Sequence, residues 1–317
     1  MAVIDRGGGA GLEWRAMRMK QAGRVGFVLV AMMSAGAVAA QNRPAITGIA
    51  FVRMYSADRG ASDAFYGKTL GFEAVTGPDG IERYGVNPSQ WLEVESLPAN
   101  PPEKRIPLVA FTTRDAKRLE TYLKQHNVAV VGRLEGAGFT VRDPEGNLIG
   151  FMQRGAMRDK LAMSPRASAR RIIHTGFLVH DRTAEDAFYR DVLGFQLSWQ
   201  GGRTDSVVSY VDMQVPEGTD WLEYMLSSSP HPDAKDLGVI NHFSLGTATM
   251  SDVVAALKSN GCSGPACSNS HTGRDGKVQL TQFDPDLTRV EFMEFKPSGT
   301  TCCSPMLGRV PREEEDQ

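Results

Sequence analysis

Apolar and polar positions along the chain fall into short repeating blocks. In the first half, strand-like runs begin near Ile46, Phe72, Arg83, Trp91, Ile106, Val128, Gly138 and Asn147. Such runs, a few residues long and bounded by turn residues, predict β-strands. Amphipathic stretches with helical spacing follow the first and the fifth run. The block therefore reads βαβββ, occurs twice in each half, and occurs four times in the chain.

The halves also repeat each other. Asp63–Phe72 reads DAFYGKTLGF and Asp186–Phe195 reads DAFYRDVLGF, identical at seven of ten positions and offset by 123 residues. Phe65 and Leu70, or Phe188 and Leu193, fall near one helical face, and a glycine ends each helix at its C′ position. QWLEV (90–94) recurs as DWLEY (220–224), and the helical stretch 114–127 recurs at 250–261. Finally DPEGNLIGFM (143–152) recurs as DPDLTRVEFMEF (284–295), with Glu291 standing where the first half has Gly150. The repeat divides the chain into a first module at 45–153, a linker at 155–170, a second module at 171–296 and a tail at 297–317 that reads as loose.

Composition narrows the function. The 317 residues carry a formal net charge of −2, which argues against a nucleic-acid partner. Residues 1–40 predict an extension and a signal peptide: Arg18, Lys20 and Arg24 precede an apolar run, 25–40, rich in small residues. Met17 or Met19 is then the expected start and cleavage falls after Ala39 or Ala40, giving an exported protein, periplasmic or extracellular, with no membrane role beyond that segment. An uncleaved anchor is the alternative. Export permits disulfides among Cys262, Cys267, Cys302 and Cys303, whose pairing the sequence leaves open.

The motifs FYxxxLGF and DPxxxxxx(E)F, each present twice, resemble the vicinal oxygen chelate superfamily over residues 45–296. That superfamily includes glyoxalase I, extradiol dioxygenases and bleomycin-resistance proteins. The resemblance implies an α+β fold of two modules, each of paired βαβββ units forming a cup-shaped mixed sheet. It also implies metal ligands on three strands of a module. In the second half those positions hold His174, His242 and Glu291; in the first they hold Phe51, Leu108 and Gly150. Strand alternation then turns His174, Gly176, His242, Ser244 and Gly246 into the cup, and Thr175, Phe177, Val179, Phe243 and Leu245 toward the helices. The second module is read as the working one and the first as its structural partner.

Two imidazoles and one carboxylate suit a divalent metal, Fe(II) first and Mn, Zn or Ni as alternatives, with positions left for a small-molecule substrate bearing adjacent oxygens. Glu223 is either a fourth ligand, as the glyoxalase branch implies, or a structural carboxylate shared with Glu93. His271, expected in the loop before the seventh strand of its module, is an acid/base candidate implied by the dioxygenase branch. Arg203 and Tyr210 are candidates for orienting an anionic substrate. His180 lies about 20 Å along its strand from His174 and is not expected to share the metal. Three functions stay open: a dioxygenase-like enzyme, a glyoxalase-like lyase or isomerase, and a non-catalytic binder. Thr281, where the dioxygenase signature expects a tyrosine, weighs against catechol cleavage. A homodimer is compatible with all three.

Overall fold

In the computed structural model, which describes residues 43–227 and 232–313, the strand runs pair into two eight-stranded mixed sheets. The expected signal segment and His231 lie outside the described residues. The first sheet comprises β1 (Ile46–Ser56), β2 (Glu73–Thr76), β3 (Glu82–Asn87), β4 (Gln90–Ser96), β5 (Leu108–Thr113), β6 (Val130–Leu134), β7 (Gly138–Arg142) and β8 (Leu148–Gln153). Its order is β2-β3-β4-β1-β5-β8-β7-β6. The second comprises β9 (Ile172–Val179), β10 (Gln196–Gly201), β11 (Tyr210–Gln214), β12 (Trp221–Leu226), β13 (His242–Thr247), β14 (Ser270–Thr272), β15 (Val278–Phe283) and β16 (Arg289–Glu294). Its order, β10-β11-β12-β9-β13-β16-β15-β14, is the same topology again. In each module the two βαβββ units join through an antiparallel pair, β1 with β5 or β9 with β13. The α+β class and the two curled sheets agree with the sequence reading.

The helices differ in detail from their expected form. α1 (Arg59–Asp63) runs into a π-helical turn at Ala64–Thr69, and α3 (Arg182–Asp186) into one at Ala187–Val192. Asp58 and Asp181 cap their N-termini through side-chain oxygens, and Gly71 (φ 79°) and Gly194 (φ 78°) follow in the left-handed conformation that ends them. Counting at 3.6 residues per turn singles out Phe65 and Phe188; the residues sunk completely are their neighbours Tyr66 and Tyr189. α2 (Ala116–Gln125) and α5 (Met250–Ser259) are the second expected helices, while α4 (Ala234–Ile240), just before β13, has no signal in the pattern.

Burial of those tyrosines explains why both repeated motifs are present. Tyr66 donates its hydroxyl hydrogen to Asp284 at 2.7 Å, and Tyr189 donates to Asp143 at 3.1 Å. The FY of each module thus binds the Asp-Pro turn of the other, so two quasi-equivalent bonds tie the halves together. Between them, Asp220 accepts from the backbone N–H of Ile49 at 2.8 Å and pairs with buried Arg171 at 2.6 Å. A buried polar group without such partners would cost several kcal/mol, so these contacts also fix how the halves dock.

The segment after each module crosses its cup. Ala156, Met157 and Leu161 of the linker pack with Phe51, Trp91 and Leu108. After the second module, the backbone N–H of Cys302 donates to Arg274 at 2.9 Å, that of Leu307 to Ser198 at 2.7 Å, and that of Arg309 to the Gln214 side chain at 2.9 Å. The tail, read from sequence as loose, is therefore pinned through its described length. Its small and polar residues give no periodic signal because hydrogen bonds from the backbone and from the Ser304 and Arg309 side chains, not an apolar face, hold it. The cysteines pair locally, Cys262 with Cys267 and Cys302 with Cys303.

Candidate metal centre

β9 carries Phe177 and Val179 into the common core and turns His174 and Gly176 to the cup. β13 opens on His242, with Phe243 and Leu245 in the core. β16 lies parallel beside β13, with Glu291 opposite Ser244. The four candidate ligands converge. His174 Nε2 and His242 Nε2 stand 3.0 Å apart. Glu291 Oε2 lies 3.3 Å from the first and 3.8 Å from the second. Glu223 Oε2, from β12, lies 3.0 Å from His242 Nε2 and 3.8 Å from His174 Nε2. His174, His242 and Glu291 are at most 4% exposed.

This donor set fits a cation. Burial disfavours the charged form of His174 and lowers its pKa, which keeps a lone pair available. Burial also opposes ionisation of Glu291, yet the guanidinium of Arg289 and then the imidazoles outweigh it, so its pKa is depressed. Glu223 shows the same balance, with His242 the chief stabiliser against burial. Two buried imidazoles, and two carboxylates that resist neutralisation, therefore face one buried point, an arrangement that calls for positive charge. With bonds of about 2.1 Å, ligand atoms at right angles stand about 3.0 Å apart, close to the shorter separations here.

Local structure keeps the lone pairs pointed inward. Ile240 O lies 2.9 Å from His242 Nδ1, and the tautomer that donates to it leaves the lone pair on Nε2. His174 stacks on Trp221 at 4.8 Å and 30°, and Lys277 Nζ sits 4.3 Å over the Trp221 ring. Gly176 is bare of necessity: a Cβ there would come within 2.2 Å of His242 Cε1.

The first module keeps the scaffold and exchanges the chemistry. Phe51 stacks on Trp91 at 4.9 Å and 27°, the counterpart of His174 on Trp221. Leu108 replaces His242, and Arg53 stands where Gly176 leaves space. Glu93, the counterpart of Glu223, is held by Arg53 at 2.7 Å, Arg83 at 3.1 Å and Trp91 Nε1 at 3.0 Å. One carboxylate is saturated by guanidinium groups; the other faces the histidines. Of the two roles weighed for this shared acid, the structural one describes Glu93.

The other predicted residues lie around the opening. Arg203, in the β10–β11 turn, Tyr210, at the start of β11, and His271 line a cavity of about 300 Å³ that also contains His174, Glu223 and Glu291. His271 is on the edge strand β14 rather than in a loop, because Ser270–Thr272 pairs with β15. Thr281 is the cross-strand neighbour of Glu291. His180 belongs elsewhere, bonding Glu145 of the other module at 3.0 Å. Two cup residues were missed. Asp212 is buried opposite Glu223, where Arg83 faces Glu93, and burial together with Glu223 raises its pKa well above the usual range. Arg289 was legible in the Asp-Pro repeat, where it replaces Leu148, but a charged residue next to a turn reads as surface.

Comparison with known proteins agrees with this architecture. Residues 48–151 and 171–295 match the family model described as Glyoxalase/Bleomycin resistance protein/Dioxygenase superfamily. A search among curated proteins returned no match. Among solved structures, homoprotocatechuate 2,3-dioxygenase from Arthrobacter globiformis is similar at 18% identity and TM-score 0.60, over 82% of this chain and 84% of that one. The same enzyme from Brevibacterium fuscum, in complex with 3,4-dihydroxyphenylacetate, is similar at 18% identity and TM-score 0.59, over 79% and 81%. At such identity the likeness concerns the fold. Matched in both halves and built as two cups of one topology, the chain belongs to the Glyoxalase/Bleomycin resistance protein/Dioxygenase superfamily.

Proposed function

We propose that this protein is a metal-dependent enzyme acting on a small substrate that chelates a divalent cation through two adjacent oxygens. The observation that carries the reading is the convergence of His174, His242 and Glu291 beside a cavity that His174 and Glu291 line. When bound, the cation supplies polarisation of the substrate oxygens and, if it is Fe(II), access to oxygen chemistry; Mn, Zn and Ni are the alternatives. The chain's own residues do the rest. Trp221 fixes the plane of His174, and Ile240 fixes the tautomer of His242. Glu223, held ionised, is positioned to accept a proton from substrate or to act as a further ligand. Arg203, Tyr210 and His271 face the cavity and meet the outer part of the substrate.

A dioxygenase-like activity on a vicinal dihydroxy aromatic is supported by the likeness in fold to enzymes of that kind. A lyase or isomerase activity is the second reading, favoured by the second carboxylate, Glu223, and by Thr281 beside Glu291. The decisive comparison is metal content and turnover of wild type beside His242→Ala. Wild type is expected to hold about one equivalent of metal per chain and the variant almost none. Oxygen uptake with catechols supports the first activity; oxygen-independent proton exchange on a hydroxycarbonyl compound supports the second. A wild-type protein, purified without chelators and supplied with each metal in turn, that binds none overturns both and leaves the non-catalytic binder. We also propose export, for which the basic-then-apolar segment and the two disulfides speak. N-terminal sequencing of the mature chain tests it, with a start near Gln41 expected.

A further inference from the structure

We infer that Arg289 is a positioning residue that makes Glu291 a ligand through one oxygen only. The inference rests on the metal-binding reading of the cup and deepens it. Arg289 and Glu291 are two residues apart on β16, so their side chains leave the strand on the same face. The guanidinium Nη1 donates to Glu291 Oε1 at 3.0 Å, while Oε2 is the oxygen near both histidines. The two carboxylate oxygens are thus already assigned, one to the guanidinium and one to the centre of the cup. Without the clamp, a carboxylate on a divalent cation can turn to present both oxygens and occupy a position that a chelating substrate needs.

The neighbouring histidine reinforces the assignment. Arg289 Nη2 lies 2.9 Å from His242 Nδ1. A guanidinium only donates, and in the tautomer that leaves Nε2 free for a cation Nδ1 carries hydrogen and gives it to Ile240 O. In that tautomer Nδ1 cannot accept, so among these two neighbours Glu291 is left as the acceptor for Arg289. The sheet register makes the same point from the other module. The pair Leu108 and Leu148 on β5 and β8 corresponds to His242 and Arg289 on β13 and β16. Arg289 thus differs between the modules together with the three ligand candidates His174, His242 and Glu291.

Affinity alone would not diagnose the role. Losing a cation beside the site tightens metal binding, whereas losing the clamp loosens it. The Co(II)-substituted protein reports coordination directly through its visible absorption, which is intense at low coordination number and weak at six. Arg289→Leu, the residue of the other module, is expected to lower that absorptivity about twofold or more as Glu291 turns to bind through both oxygens. Arg289→Lys keeps a point charge able to hold one oxygen and is expected to retain the wild-type band. If the Leu variant does not fold, Arg289→Gln carries the test with the same expectation of a weakened band. A folded, Co(II)-loaded Leu or Gln variant with the wild-type spectrum overturns the inference, even if it melts earlier, since only packing would then have been lost. If wild type takes up no Co(II), the metal reading falls and this inference with it; if wild type binds and the variants match it, only this inference falls.

Discussion

The two cups share strand order, a tryptophan shelf and an acid on the fourth strand, yet only the second brings imidazoles and carboxylates together. In the first, Phe51 and Leu108 put apolar bulk at the ligand positions, two arginines saturate Glu93, and the cavity of about 260 Å³ that Phe51, Met152 and Met157 line holds no histidine. In the second, two imidazoles take the places of the apolar side chains, Gly176 leaves room for one of them, and Glu223 faces those imidazoles. A fold of this kind supports chemistry through a few inward positions, while its outward positions, which hold the core, stay apolar in both halves.

Removing the site should have the largest effect. His242→Leu, which installs the first module's residue, is expected to abolish stoichiometric metal binding, measured by elemental analysis of the purified protein. Building the site into the first cup is the converse. Phe51→His, Leu108→His and Gly150→Glu together are expected to destabilise the protein by about 3–5 kcal/mol in urea unfolding and to bind no second metal. The physical reason is at Gly150, where a Cβ would meet Ala110 Cβ at 2.8 Å and Leu134 Cδ1 at 2.9 Å. A stable variant holding two metals would show that the cups differ only in ligands.

Smaller changes sharpen the comparison. Gly176→Ala should displace the His242 ring and weaken Co(II) binding by about 10- to 100-fold in titrations, with little loss of fold. Glu223→Gln should weaken it about tenfold if the carboxylate ligates; unchanged affinity with lost turnover would assign it to proton transfer instead.

The smallest expected effect separates the two Tyr–Asp bonds between modules. Beside Tyr189–Asp143 lies Glu185, whose pKa burial and then Asp143 push up to about 8; its counterpart beside Tyr66–Asp284 is Ser62. The folded state keeps a proton on Glu185 that the unfolded chain releases near pH 4.5. That contribution to stability is fully present below pH 4.5 and is lost as pH rises through about 8. Glu185→Gln should therefore flatten the fall of Tm between pH 5 and about 8, read by thermal melts across that range.

Much of this was legible because the chain repeats itself. Aligned halves exposed His174, His242 and Glu291 as departures from Phe51, Leu108 and Gly150, and strand periodicity set their direction. Arg289 and Asp212 were present in the same alignments but unremarked, since one charged residue on a strand carries no sign of what faces it. The tail reads as loose because hydrogen bonds from its backbone and from Thr301, Ser304 and Arg309 hold it, and such bonds leave no periodic pattern.

The sequence by itself determined the local elements, the duplication and the identity of the ligand candidates, because periodicity and residue type act over a few neighbouring positions. Only the tertiary structure decided that each FY motif grips the opposite Asp-Pro turn, that Glu93 is neutralised while Glu223 meets the histidines, and that Arg289 takes one oxygen of Glu291. Those outcomes depend on which side chains from distant parts of the chain come within about 3 Å of each other, a distance over which hydrogen bonds and charge pairs act and which sheet register and the docking of the modules set.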